Sequence, residues 1–306
     1  LGVPGEEKPG VVHGTDFLRD IGLINRGGGN GLTMPEVAGK KIAVVGGGNV
    51  ALDAARTAWR LGASEVHVIY RRTKADMPAY ADEVKAAYEE GIQFHFLANP
   101  IEVLGDDHVS GLVIQRQRLG EFDAGGRRRP VPVEGDTFIL PIDMLIPAIG
   151  QTTDTSWMQQ AGVKATRSST FEVGEAYQTS RGGVFACGDA VSGPATVIEA
   201  VSQGNLVAVA VDSWLKTAEY HRPRYETPRI DVAQYFDLEA YANARRPEVP
   251  ELALSDRRGS FREVELGFDE RTVQEEAKRC LRCDLEWLEY MKLPLPEAIK
   301  DVERSQ

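Results

Sequence analysis

Spaced by its apolar residues, the chain alternates between two periods. Lys41-Ile42-Ala43-Val44-Val45 is a short continuous apolar run, as a strand buried on both faces requires. Ala51, Leu52, Ala55, Ala58 and Trp59 then recur at helical spacing until Gly62, and Val66 to Tyr70 reads as a second strand. Ala79 to Glu90 reads as a helix, with Asp76 as its cap and Gly91 as its stop, and Ile92 to Leu97 alternates as a third strand. The pattern then changes. Ile101–Leu104, Gly111–Leu119 and Thr137–Leu140 are strands without intervening helices, which predicts an antiparallel meander flanking a parallel sheet. Asp143 to Gln151 is a buried strand that ends at a glycine and is expected to return the chain to another domain. Gly183 to Cys187 reads as a strand running into Gly188-Asp189, and Gly193-Pro194-Ala195-Thr196 opens a long apolar helix ending near Leu215.

The flanks are less regular. Residues 1–39 are rich in Gly and Pro, with one short helix expected from Thr15 to Ile24. Arg26-Gly27-Gly28-Gly29-Asn30-Gly31 has the look of a phosphate loop, but no strand precedes it, so it reads as a turn. Residues 220–260 carry many prolines and charges and are expected to wrap the surface. Glu270 to Tyr290 reads as a helix that places Cys280 and Cys283 on one face.

Composition narrows the function classes. The 306 residues suffice for about two domains. A net charge of −11 argues against non-specific binding to nucleic acid or to an anionic membrane. Eighteen-residue apolar runs of the kind that span a bilayer are missing from the sequence. Three cysteines outline no disulfide framework, and no signal peptide is visible, so the expected compartment is the cytoplasm. The chain opens on Leu1, and reads as though a segment upstream had been removed.

The candidate chemistry begins at Gly46-Gly47-Gly48-Asn49-Val50-Ala51, a G-x-G-x-x-A turn set between strand and helix. In that order the turn is a dinucleotide-binding signature: the first glycine permits the tight turn, Gly48 lets a pyrophosphate approach the backbone, and Ala51 allows close helix–strand packing. An NAD site places a carboxylate at the end of the next strand; here stand Tyr70-Arg71-Arg72, with Lys74 nearby. Guanidinium groups bind a 2′-phosphate that a carboxylate would repel, so NADPH is favoured over NADH. Arg127-Arg128-Arg129 falls at a Gly-rich hairpin tip and reads as a solvated turn, and His95 as a half-exposed structural residue. Asp189, at a strand tip facing a helix N-terminus, suits sugar or ribityl hydroxyls. Cys187 reads as packing, and two cysteines, Cys280 and Cys283, do not close a four-ligand site by themselves.

This order of motifs resembles the NADPH-dependent small subunit of glutamate synthase and its relatives, flavoproteins with two dinucleotide-binding domains. The matching pieces are Leu1-Gly2-Val3-Pro4-Gly5-Glu6, Asp16-Phe17-Leu18-Arg19, Val45 to Asp53, Tyr70-Arg71-Arg72 and Met77-Pro78-Ala79. Pro147 to Gln151, Gly183 to Asp189, Gly193 to Ala200 and Glu275 to Asp284 match as well. The resemblance implies NADPH contacts at Gly46, Gly47, Gly48, Asn49, Val50, Arg71, Arg72, Ile149 and Gly150. It implies FAD contacts at Gly188, Asp189, Ala195, Thr196 and Val197. Cys280 and Cys283 stand as two free thiols unless another chain or a further segment completes the site, in which case they are candidate partial ligands of an Fe–S cluster, a [4Fe-4S] cluster of the full-length protein or a partner being the candidate. The family's cysteine-rich segment and first glycine signature have no counterpart before residue 41, so the chain is expected to hold the whole NADPH domain and half of the FAD domain.

The expectation is therefore an α/β protein: a linker over 1–38, a Rossmann-like NADPH domain over 39–145, the C-terminal half of a Rossmann-like FAD-binding domain over 146–218, and an irregular or helical extension over 219–306. Its expected function is to pass hydride from NADPH to FAD and electrons onward to an Fe–S domain or an electron-accepting subunit. No catalytic acid or base is named, because the flavin does the chemistry. On its own the chain is expected to hold FAD weakly or not at all, and to self-associate through the exposed half-domain. Two alternatives are a truncated NADP(H)-binding module without turnover and a thioredoxin-reductase-like enzyme using Cys280 and Cys283.

Overall fold

The computed structural model describes residues 1–122, 126–217, 219–223 and 245–277. Cys280, Cys283 and the rest of the helix expected to reach Tyr290 lie outside the described residues. The chain divides into two compact units, one of residues 1–223 with 254–261, the other of residues 224–253 with 262–306.

In the first unit, β1 (Lys41–Val45), β2 (Glu65–Tyr70), β3 (Gln93–Phe96) and β7 (Met144–Pro147) form a parallel sheet in the order β3-β2-β1-β7. Beyond β7, Val12 N–H donates to the Leu145 carbonyl at 3.0 Å and Leu145 N–H to the Gly10 carbonyl at 2.9 Å, so the N-terminal segment adds to that edge. Successive side chains face opposite sides and both sides are covered, which explains why β1, β2 and β7 are largely apolar. Ile42, Val44, Val66, Val68, Met144 and Ile146 face one core, which is covered by α1 (Gly14–Asn25), α2 (Asn49–Arg60) and α3 (Ala81–Glu89). Ala43, Val45, Ile69 and Leu145 face the other, which is covered by the antiparallel sheet β4 (Ala98–Leu104), β5 (Gly111–Phe122) and β6 (Arg128–Pro141). The result is three layers, with helices on one face of the parallel sheet and, on the other, the antiparallel meander that the sequence predicts.

Two expectations change. The segment Asp143–Gln151 does contain a strand, but β7 pairs in parallel with β1, and so belongs to this sheet. The boundary placed at 145/146 from the sequence thus falls inside β7. Gly183–Cys187 is not a strand. It makes a single antiparallel bridge, Gln178 to Phe185, and the backbone bonds around it return to residues 177–181, so no ladder builds.

Farther along, α4 (Ser156–Gln160) and α5 (Asp189–Ser192) are short, while α6 (Val197–Leu215) is the long apolar helix expected after Thr196. The segment 254–261 docks on the end of α2: Gly259 N–H donates to the Arg60 carbonyl at 2.8 Å, and Arg60 Nε to the Ser260 carbonyl at 2.8 Å. In the second unit, Leu252 N–H donates to the Val264 carbonyl and Leu266 N–H to the Pro250 carbonyl, each at 2.8 Å, and a helix spans Glu270–Ala277.

Candidate functional site

All strands of the parallel sheet end on the same side, and β1 delivers the glycine turn there. Each glycine has its own reason. Gly46 sits at φ +151°, and a Cβ on it would overlap the Ala148 carbonyl oxygen, which β7 brings alongside. A Cβ on Gly47 would enter the Tyr70 ring. Gly48 has φ −93° and ψ 176°, open to any residue, and the nearest atom to a Cβ there is Pro78 Cγ at 3.9 Å. The first glycine is thus needed for the turn, the second for packing, and the third leaves open space above the backbone.

Gly48 is the N-cap of α2 and supplies no side-chain cap. The N–H groups of the first turn of a helix have no carbonyl within the helix to bond, and carry partial positive charge. Here they belong to Asn49 and Val50 at the mouth of the turn. Asn49 does a second job: its Oδ1 accepts the Tyr80 N–H at 3.0 Å. Ala79 N–H donates to the Gly47 carbonyl at 3.1 Å, so residues 77–80 form a wall along the turn. Tyr70 closes the floor, with its hydroxyl donating to the Asp76 carbonyl at 2.7 Å.

At the end of β2 the two arginines part. Arg71 is exposed. Arg72 is buried, with a relative accessibility of 6%, and its Nε donates to the Arg128 carbonyl at 3.0 Å. Asp76 does not cap α3, as the sequence suggested. Its carboxylate accepts the Thr73 N–H at 3.1 Å and the Thr73 hydroxyl, closing a short 3-10 turn over Lys74–Asp76. The Thr73 hydroxyl is the main reason that the Asp76 carboxyl is held below the usual range, with Arg72 and Arg127 contributing. The Thr-x-x-Asp spacing at 73–76 was the available signal for this reciprocal cap. Nothing in the sequence signalled the Tyr70–Gly47 contact.

On the β7 side, Ala148 N–H donates to the Val45 carbonyl at 2.8 Å, which holds Ile149 and Gly150 at the same edge of the sheet. Ile149 is exposed, and Gly150 is at φ +114° with open space where a Cβ would stand.

The second cluster lies around Gly188, at φ +63°, whose N–H donates to Gln203 Oε1 at 2.7 Å. Asp189 Oδ1 accepts the Ala195 N–H at 3.3 Å, and the Asp189 carbonyl accepts the Thr153 hydroxyl at 3.1 Å. Thr196 and Glu199 cap α6 reciprocally, Thr196 N–H donating to Glu199 Oε2 at 3.0 Å. The Thr196 hydroxyl is therefore taken up by its own helix, and what this end offers a ligand is backbone and the outer carboxylate oxygen of Asp189. Val197 and Ile198 are exposed there. Cys187 is half-buried and free.

His95, expected to be structural, is half-buried, and its Nε2 lies 3.1 Å from His67 Nδ1. Burial pushes the pKa of both rings down. Among the described residues no group of three or more His, Cys, Asp or Glu side chains is arranged to hold a metal ion. Among them, too, no helix is long and apolar enough to cross a membrane.

A comparison with protein families matches residues 1–204 to the pyridine nucleotide-disulphide oxidoreductases. The chain is 43% identical to the beta subunit of NADP(+)-dependent formate dehydrogenase of Moorella thermoacetica, over 92% of its own length and 40% of that protein's. It is 37% identical to the small chain of the NADPH glutamate synthase of Escherichia coli, over 70% of its length and 48% of that protein's. It therefore spans less than half the length of these relatives. Among solved structures, FprA of Mycobacterium tuberculosis matches with a TM-score of 0.58 at 20% identity, covering 71% of this chain and 61% of that one. At that identity the likeness speaks for the fold.

Proposed function

The chain belongs to the pyridine nucleotide-disulphide oxidoreductase family, in the group that contains the glutamate synthase small chain, and from this we propose that it is the NADPH-binding component of an NADPH-dependent flavin oxidoreductase. The observation that carries the choice of nucleotide is the glycine turn beside a strand that ends in exposed Arg71 where an NAD site has a carboxylate. Gly48, Asn49 and Val50 take the pyrophosphate through backbone N–H groups, and Arg71 takes the 2′-phosphate. Arg72 contributes by position, fixing the end of β2 against β6. Ile149 and Gly150 flank the nicotinamide end.

Flavin fits the second cluster through the Gly188 turn, the Asp189 carboxylate and the backbone at Ala195, Thr196 and Val197. Bound FAD would supply the ring system that accepts hydride and releases single electrons. This chain's part is to hold and orient: no side chain is assigned to move a proton. Residues 39–147 make up the nucleotide-binding domain in this reading, and residues 148–217 the flavin-facing portion. A place in a larger assembly is supported by the relatives' names, a "subunit beta" and a "small chain". An Fe–S acceptor and a cytoplasmic setting complete the proposal.

Titration calorimetry of NADPH and NADH tests it. The wild-type chain is expected to bind NADPH at least about tenfold more tightly, the worth of one charge-assisted contact of roughly 1.5–3 kcal/mol. Arg71→Ala should erase that preference. Equal affinities in the wild type would remove the basis of the reading. For the flavin, Asp189→Ala is expected to weaken FAD by about tenfold on the same grounds while leaving NADPH affinity unchanged. FAD quenching that is identical in both proteins would place the flavin elsewhere.

A further inference from the structure

The hairpin formed by β5 and β6 is longer than the sheet it belongs to. β4 pairs with β5 only as far as Ala98 opposite Arg116, whereas β5 continues to Phe122 and β6 starts at Arg128. The overhanging part is tied to the end of β2. Leu97 N–H donates to the Arg72 carbonyl at 3.0 Å, Gln117 N–H to the Leu97 carbonyl at 2.7 Å, and Arg72 Nε to the Arg128 carbonyl at 3.0 Å. A flanking meander needs no such tether to cover a core. This one brings a run of three arginines to the loop that selects the nucleotide.

Arg128 is used up inside the hairpin, its Nε on the Gly120 carbonyl and its Nη2 on the Leu119 carbonyl, both at 2.9 Å. Arg127 stands one residue before it and is exposed. We propose that Arg127 is a second specificity-determining residue, placed by the hairpin to share the 2′-phosphate of NADPH with Arg71. The bond from Arg72 Nε to the Arg128 carbonyl sets Arg127 one residue from the contact that ties the hairpin to the end of β2, and its charge bears on Asp76 in the turn that follows. The inference rests on the NADPH reading above. Two guanidinium groups neutralise a phosphate dianion more fully than one, and each brings a planar fork of donors.

The experiment is a calorimetric titration of NADPH and NADH into the wild-type chain, Arg71→Ala, Arg127→Ala and Arg127→Lys. Arg127→Ala is expected to weaken NADPH by about tenfold, the worth of one charge-assisted bond, with NADH within about twofold of wild type. Arg127→Lys should recover part of the loss, because it restores charge without the fork. An equal loss for both nucleotides would show that Arg127 only shapes the loop, and overturns the proposal. So does an Arg127→Ala protein that keeps the wild-type preference while Arg71→Ala loses it; the NADPH reading then stands without the hairpin. A wild-type chain with no preference would bring down the NADPH reading itself.

Discussion

Replacing Glu90 with alanine is expected to cost the first unit about 3–5 kcal/mol of stability, the usual price of removing one partner from a buried ion pair. Glu90 follows the last turn of α3, and its side chain is fully buried. Its Oε2 accepts Arg56 Nε at 2.9 Å, and its Oε1 accepts Arg56 Nη2 at 2.8 Å and Arg257 Nη1 at 3.2 Å. Arg56 also pairs with Glu83. Burial works against the charge on Arg56, but Glu90 and Glu83 outweigh it and hold its pKa above the ordinary value. One carboxylate thus joins α2, α3 and the segment 254–261. Without it, two guanidinium groups lose their shared acceptor in a desolvated site. Arg257→Ala should cost less, about 1.5–3 kcal/mol, because the Arg56–Glu90 fork survives. Urea unfolding followed by circular dichroism measures both, and a double-mutant cycle gives the coupling. A Glu90→Ala loss under about 1 kcal/mol would mean that water or a neighbour replaces the carboxylate, against the burial described here.

That network shows what the sequence did not disclose. Glu90 and Arg257 stand 167 residues apart, and Arg257 lies in a stretch rich in charge and proline that reads as surface wrapping. Pairings of this kind leave no local period. The parallel sheet, by contrast, was legible, since its inner strands are largely apolar runs, β3 alternates, and each helix carries its own spacing. The glycine turn was legible for the same reason: strand, turn and helix are consecutive. The burial of Arg72 beside an exposed Arg71 was not, because a carbonyl that Arg72 meets lies on a hairpin 56 residues later. The run Gly183–Cys187 misled because apolar residues alone do not say whether a neighbouring strand exists to pair with them. The end of β7 misled in the opposite way. Its apolar run was read correctly as a buried strand, but its partner, β1, is set by topology and lies about a hundred residues earlier.

Gly48→Val is expected to fold normally and to lose NADPH by at least about a hundredfold, the worth of two charge-assisted contacts at the low end of their range. The backbone there is extended, with φ −93°, so a branched residue meets no strain. Among the described residues, the only neighbour a Cβ would meet is Pro78 at 3.9 Å. The isopropyl group would instead fill the space through which a pyrophosphate approaches the first turn of α2. Gly46→Val and Gly47→Val should behave differently. At Gly46 the side chain would collide with the Ala148 carbonyl, at a positive φ that disfavours a branched residue. At Gly47 it would displace Tyr70, whose hydroxyl bonds to the Asp76 carbonyl and steadies the turn at 73–76. Overpacking of this kind costs about 1–3 kcal/mol or more, so both variants should unfold at lower urea than the wild type. Circular dichroism paired with calorimetry separates the cases: native spectrum without binding for Gly48→Val, reduced stability for the other two. A Gly48→Val chain that binds NADPH as the wild type does would show that the pyrophosphate is held away from this turn. A Gly46→Val chain with native stability would mean that β7 can withdraw from β1, and that the close approach of Ala148 is not what fixes the turn.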